Sequence, residues 1–331
     1  MKSFKVAILG NGRIAQAAAY YFKKYPFVNK VYFPLHDKEI KACDLLVGAL
    51  GGGIAECGLG YALRYKKNLI DISDIDPPFY LQAKKRIEKS GITVIPGCGF
   101  SPGLVNFILG RELSSLNAVN AVEVKAGSLS RRKFFFPFLW CFEDLILEHH
   151  IPSWQIRAGE KKSFPHFAGY KKEKYFGIAS ESYFCASGFE NILDAVKLKN
   201  FTCKVVRPYG FREFFQFLKN QGFLKKENLR VTKNILEGVK EDNFTLGEIK
   251  IFTKDKKIIW RIKSFSKKNE TLNSMQKLTA SIPAGIGKFI LENRLKRAGL
   301  LFMEDLGKDE VVFRELIKEV RKDRISLQRQ Q

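Results

Sequence analysis

Apolar positions in the first hundred residues come in short solid runs rather than in alternation. KVAIL (5–9), VYFPL (31–35), DLLVGAL (44–50), NLIDIS (68–73) and ITVI (92–95) are apolar at both odd and even positions. A strand of that kind is buried on both faces, the condition of a parallel sheet covered by helices. Between the runs, apolar residues fall at helical spacing from about Arg13 to Lys24, Ile54 to Tyr65, Phe79 to Lys89 and Leu104 to Leu113. Strand and helix in alternation predict a doubly wound, Rossmann-like α/β domain. One connection is short: between Leu35 and Asp44 lies HDKEIKAC, too little for the helix and strand that usually complete this half of the fold.

From about Asn120 the period changes to two. AVEVKAG (121–127) and KIFTKDKKIIWRIKSF (250–265) alternate, the latter turning on TKDKK, which predicts antiparallel hairpins in a second, α+β domain. FFFPFLWCF (134–142) reads as a core strand after the basic turn SRRK. Helices follow from Ile286 to about Arg324, with breaks near Gly299 and Gly307, and RISLQRQQ reads as a frayed polar tail. The expected organisation is a dinucleotide-binding domain over 1–115, a substrate domain over 116–280, and closing helices over 281–331 that pack back on the first.

Composition alters this picture little. Hydrophobic residues at 45% and charged residues at 27% are those of an ordinary globular protein. The longest dense apolar run falls far short of the ~20 residues a membrane span needs, and the first strand begins almost at the N-terminus, so no secretory leader is expected. Cys43, Cys57, Cys98, Cys141, Cys185 and Cys203 show no C-x-x-C spacing and suit reduced thiols in a cytoplasmic protein. The net charge of +23 invites a nucleic-acid or anionic-membrane partner. The lysines, however, are spread along the chain without a basic helix or arm, so a solvated lysine-rich surface is the favoured reading.

Two stretches carry candidate chemistry. Gly10–Ala15 (GNGRIA) is G-x-G-x-x-A between an apolar strand and a helix, the setting of a dinucleotide-binding turn. Gly10 would make the tight turn, Gly12 would leave room for a pyrophosphate, and Ala15 would let the helix pack closely, with Arg13 and Ile14 opening it. Further along the same edge, Leu50, Gly51, Asp71 and Ser73 are expected beside the cofactor. No acid ends the VYFPL strand; Asp37 could meet a ribose, whereas His36, Lys38 and Arg13 would suit a 2′-phosphate, leaving NAD and NADP both open. The second stretch, PGCGFSPG (96–103), sets three glycines between strand and helix, with Ser101 typed as N-cap and Pro102 as first helical residue, and is expected to face a ligand. His149 and His150 point about 100° apart on a helix and cannot easily share an ion, and the acids of DISDID (Asp71, Asp74, Asp76) read as caps, so no metal is expected.

With these pieces placed, the sequence resembles the saccharopine dehydrogenase-like family, which includes saccharopine reductases, lysine 6-dehydrogenases and carboxynorspermidine dehydrogenases. The resemblance runs through VAILGNGRIAQ, NLIDISD, PGCGFSPGLVNFIL, EDLILEHHIPSWQIRAGEKKSF, VVRPYGFREFFQFLKNQGFL and TASIPAGIGKFILENRLKRAGLLFMEDL, covering nearly the whole chain. PGCGFSPG looks like the family's G-F-D-P-G signature with Ser101 in place of aspartate, and RPYG stands for R-Y-P-G with Phe211 where histidine is common. The resemblance implies a nicotinamide cofactor (NADP or NAD) and hydride transfer at a C–N bond of an amino-acid-like small molecule. It places Cys98, Ser101 and Arg207 at the reacting centre, Arg207 gripping a carboxylate, with Gly99, Phe100, Pro102, Gly103 and Tyr209 around the substrate. Ser101 and the short 35–44 connection also admit a catalytically retired relative that acts as a binding or regulatory protein. A homodimer is entertained as the assembly.

Overall fold

The computed structural model describes residues 3–51, 54–73, 75–184, 188–295 and 297–331. Asp74 and Cys185 lie outside them. The chain divides into two compact units: residues 1–117, 188–195 and 276–323 form the first, and 118–187, 196–275 and 324–331 the second.

The first unit opens with β1 (Phe4–Leu9), α1 (Arg13–Phe22), β2 (Val28–Tyr32), α2 (Asp37–Lys41), β3 (Leu45–Gly48), α3 (Cys57–Tyr65), β4 (Leu69–Asp71), α4 (Pro77–Ser90), β5 (Thr93–Ile95) and α5 (Leu104–Ser114). β1, β3, β4 and β5 pair in parallel through central residues such as Val6, Ile8, Leu46, Ile70 and Val94, all with no exposed surface, as their solid apolar pattern requires. β2 starts and stops three residues earlier than the VYFPL run suggests. Pro34 has no N–H to give a ladder, and Leu35 is 84% exposed. The short connection is spanned by α2 alone, after which the chain returns to the other side of β1 as β3.

The second unit begins with β6 (Ala121–Leu129), α6 (Phe142–Glu148), β7 (Ser153–Arg157), β8 (Glu160–Phe164), β9 (Lys171–Tyr175) and β10 (Ile178–Phe184). After α7 (Glu190–Ala195), which belongs to the first unit, come β11 (Asn200–Pro208), α8 (Phe211–Asn220), α9 (Leu229–Gly238), β12 (Asn243–Phe252) and β13 (Lys257–Ser266). The chain closes with α10 (Ser274–Leu291), β14 (Gly299–Leu300), α11 (Met303–Gly307), α12 (Glu310–Arg321) and β15 (Ser326–Gln330). β14 pairs with β5, giving the first unit a parallel sheet of order β14-β5-β4-β3-β1-β2, whose direction of growth reverses between β1 and β3. The second sheet runs β15-β13-β12-β6-β11-β10-β9, with the β7–β8 hairpin attached through β11.

Two expectations fail here for local reasons. FFFPFLWCF is not a strand: Phe134 takes a positive φ of 56° and is 92% exposed, and Pro137 removes a donor. Its later residues instead pack Phe138 and Phe142 against Tyr183, Phe211 and Phe215. Nor does RISLQRQQ fray. Ile325 and Leu327 are 3% and 4% exposed, and β15 pairs antiparallel with β13 from Ser326 opposite Lys263 to Gln330 opposite Ile259.

Candidate functional site

The reversal of strand order between β1 and β3 opens a crevice at their carboxyl ends, where open α/β sheets take ligands. Gly10 follows β1 there with φ +100°, and a Cβ on it would lie 2.2 Å from the Ala49 carbonyl oxygen. Glycine is obligatory at that point. Gly12 is the opposite case. It caps α1 in an extended conformation, and a Cβ on it would meet nothing within 4 Å. No side chain caps this helix end and its first turn carries no acid, so its N–H groups and dipole suit an anion. Ala15, 1% exposed, packs beneath, as do Ala17, Ala18 and Ala19. Arg13 and Ile14 are half-buried, and the Arg13 carbonyl accepts from Gln276 Nε2 at 2.8 Å.

His36 is the N-cap of α2, whose Glu39 carboxylate accepts from the Leu35 and His36 N–H groups at 2.7 and 3.2 Å; those backbone bonds hold the Glu39 carboxyl below its ordinary range. Asp37 accepts from the Tyr65 hydroxyl and lies 3.8 Å from Arg64. Asp71 is wholly buried at the end of β4, where its carboxylate accepts from the Ser73 N–H at 2.8 Å and the Tyr80 hydroxyl at 2.7 Å. Burial pushes this carboxyl up, against the pull of those donors. Ser73 Oγ in turn accepts from the Leu50 N–H at 3.1 Å, and the Asp71 carbonyl accepts from the Cys98 N–H at 2.9 Å. Asp71 therefore braces the loops at the sheet edge from inside, leaving Leu50 and exposed Gly51 nearer the surface.

PGCGFSPG folds against itself. Gly99 and Gly103 form a backbone bridge, and the Gly99 carbonyl accepts from Leu104 N–H at 2.9 Å. At Gly103, φ is +132° and a Cβ would lie 1.9 Å from the Gly99 oxygen. Chain closure thus accounts for these glycines. It also moves the helix start: Gly103, not Ser101, is the N-cap of α5, and its N–H is received by Asn106 Oδ1 at 3.1 Å. Ser101 and Pro102 are half-exposed and Phe100 is buried. Cys98 has no exposed surface; burial, then the nearby Asp71 charge, push its thiol well above the ordinary range, so it stays protonated.

Beside this turn, at the carboxyl ends of β5 and β14, lies an open cleft of about 330 Å³ including the solvent at its mouth. Its walls include Pro77, Gly97, Pro102, Asn106, Phe302 and Glu304. Asn106 and Glu304 were not among the residues expected at a site; Asn106 is a lone polar residue in the apolar run LVNFIL, whereas Glu304 stands beside Asp305 in LLFMEDL and gives no such signal.

Arg207 and Tyr209 belong to the second unit. Arg207, 4% exposed on β11, donates through Nη2 to Glu148 Oε2 at 3.0 Å and stacks 5.6 Å over the Phe211 ring. A substrate carboxylate meeting Arg207 would share its guanidinium with Glu148. Next to Glu148, His149 donates from Nδ1 to the Leu145 carbonyl at 2.7 Å and accepts at Nε2 from the Tyr183 hydroxyl at 2.8 Å. Burial holds this imidazole down at about 4, so it is neutral. Tyr209 is exposed, its hydroxyl accepting from Lys172 at 2.8 Å. Among the described residues no group of three or more His, Cys, Asp or Glu could hold a metal, and no helix is long and apolar enough to cross a membrane.

The architecture is that of a Rossmann-like α/β protein with a second α+β domain. It is similar over 99% of both chains to apo saccharopine dehydrogenase (L-Glu forming) from Saccharomyces cerevisiae, with a TM-score of 0.77 at 16% identity. An engineered D-amino acid dehydrogenase bound to NADP+ matches 92% of this chain and 94% of its own at 12% identity and a TM-score of 0.48. DAP dehydrogenase of C. glutamicum in complex with DAP matches 96% and 99% at 11% identity and 0.46. At these identities the likeness is one of fold. No family model matches the sequence.

Proposed function

We propose that this chain is an NAD(P)-dependent oxidoreductase acting on the C–N bond of an amino-acid-derived amine or imine. The observation that carries the reading is the contrast at the GNGRIA turn. Chain packing demands glycine at Gly10, whereas nothing in the fold fills the space before Gly12. That space fronts an uncapped helix end at the reversal of strand order, which fits a pyrophosphate held by the N–H groups that open α1. Leu50 and Gly51 would flank it, and the cations of Arg13 and Lys38, with the ring N–H of His36, lean toward a 2′-phosphate, since Asp37 is engaged by Tyr65 and Arg64. The fold shared with the yeast saccharopine dehydrogenase supports the choice of a C–N bond.

When bound, a nicotinamide supplies the hydride acceptor or donor, and the protein's share is orientation and exclusion of water. The half-exposed Ser101 hydroxyl offers a neutral donor or acceptor beside the reacting carbon, while Cys98, held as a thiol, only packs. Arg207 is given no role in this reading: it is buried, and its Nη2 already bonds Glu148. The test is oxidation of NADPH or NADH by the protein with amino acids paired against 2-oxo acids and aldehydes. Turnover of at least one pair is expected, with Gly12→Asp slowing it by at least about tenfold, or about 1.4 kcal/mol, because the new carboxylate would take the helix-end N–H groups and repel the pyrophosphate. Equal rates in the two proteins would refute the assignment of the turn.

A further inference from the structure

We propose that the cleft at the carboxyl ends of β5 and β14 seats a primary ammonium group, with Glu304 as its counter-ion. Glu304 is 7% exposed, lines the cleft and accepts through Oε1 from Asn191 Nδ2 of α7. It forms no ion pair among the described residues. Lys308, whose charge is felt at Glu304, lies 2.8 Å from Asp305 and is engaged there. The amide of Asn106 across the cleft is also spent, receiving the Gly103 N–H and donating to the Gly188 carbonyl at 3.2 Å. The remaining walls are largely apolar, Pro77, Pro102 and Phe302 among them. A carboxylate withdrawn from water with no cation beside it is costly, and the same low-dielectric setting strengthens its attraction for a cation that enters. Burial accordingly raises the Glu304 carboxyl above its ordinary range.

The backbone holds Glu304 in this place firmly. A Cβ on Gly110 of α5 would lie 2.0 Å from the Glu304 carbonyl oxygen, and one on Gly307 would lie 2.0 Å from that of Phe107, so α5 and α11 cross at backbone contact. A primary ammonium is a compact point charge that a carboxylate already holding Asn191 through one oxygen can still pair, whereas a guanidinium's planar fork is matched to two carboxylate oxygens. A divalent ion would want about six oxygen ligands, and no group of three acids, cysteines or histidines stands here among the described residues. An aliphatic amine, its methylenes against the prolines and Phe302, is the ligand class that matches. That this amine belongs to the substrate rests on the oxidoreductase reading; its binding does not.

Calorimetry with n-butylamine and L-lysine, against uncharged n-butanol, tests the seat in the full-length protein. Both amines should bind the wild type and n-butanol should not. Glu304→Gln, which keeps the volume and an acceptor for Asn191, should weaken amine binding at least about tenfold while leaving the melting temperature within a degree or two. Glu304→Asp should fall between them. Independently of any variant, ammonium chloride should raise the wild-type melting temperature above sodium chloride at equal concentration. Amine binding unchanged in Glu304→Gln, or ammonium no better than sodium, overturns the proposal. Amine binding in a protein that binds neither NADPH nor NADH would leave the seat standing and remove the oxidoreductase reading.

Discussion

At the scale of single residues, Gly12 and Gly103 separate what the fold needs from what a ligand would need. Gly103→Ala should cost several kcal/mol: its φ of +132° is foreign to L-residues, and the added methyl would overlap the Gly99 oxygen. Gly12→Ala, with its methyl in open space, should cost no more than ~1 kcal/mol, the difference between the two residues as helix caps. Urea denaturation of the two variants decides this, and equal losses would contradict the account of the turn. GNGRIA was legible in the sequence because its meaning is local: a strand, a glycine turn and a helix within twenty residues. Glu304 was not. In LLFMEDL it reads as an ordinary surface acid, and its burial depends on Gly110 and Gly307 bringing together helices far apart in the chain. Ser101 misled for a related reason, since its N-cap typing is sound locally and is overruled when Gly99 closes on Gly103.

At the scale of elements, the parallel strands could be read because burial on both faces leaves a solid apolar signature. Segments whose structure comes from a distant partner could not. β15 is polar at most positions and owes its order to β13, with Ile325 and Leu327 turned inward. Leu327→Ala should therefore lower unfolding free energy by about 2–3 kcal/mol, the usual cost of emptying a buried leucine site. The same measurement on a fraying tail would show no change, and that outcome would contradict the strand. FFFPFLWCF failed from the other side: its aromatic density suggested a strand, whereas Pro137 and the positive φ of Phe134 release the rings to pack individually around Phe211 and Phe215.

At the scale of the whole molecule, the chain weaves between its two units, and no composition shift marks residues 188–195 as part of the first. Those residues supply Gly188 and Asn191 to the cleft, so the sequence alone could not have assembled it. The charge of +23 likewise has no concentrated seat in the sequence, and surface pairs such as Lys84 with Glu88 and Lys162 with Glu160 contribute little to stability. What unites the molecule's features is the carboxyl edge of the first sheet, where the GNGRIA turn, the 97–103 turn and the Glu304 cleft all lie. The central claim is that this edge binds a nicotinamide dinucleotide through the N-terminus of α1. Calorimetric titration of NADPH and NADH into the wild type and Gly12→Asp tests it most directly. At least one of the two nucleotides should bind the wild type, and Gly12→Asp should weaken that binding at least about tenfold without lowering the melting temperature. Failure of both nucleotides to bind at millimolar concentration, or equal binding by the variant, would contradict the claim.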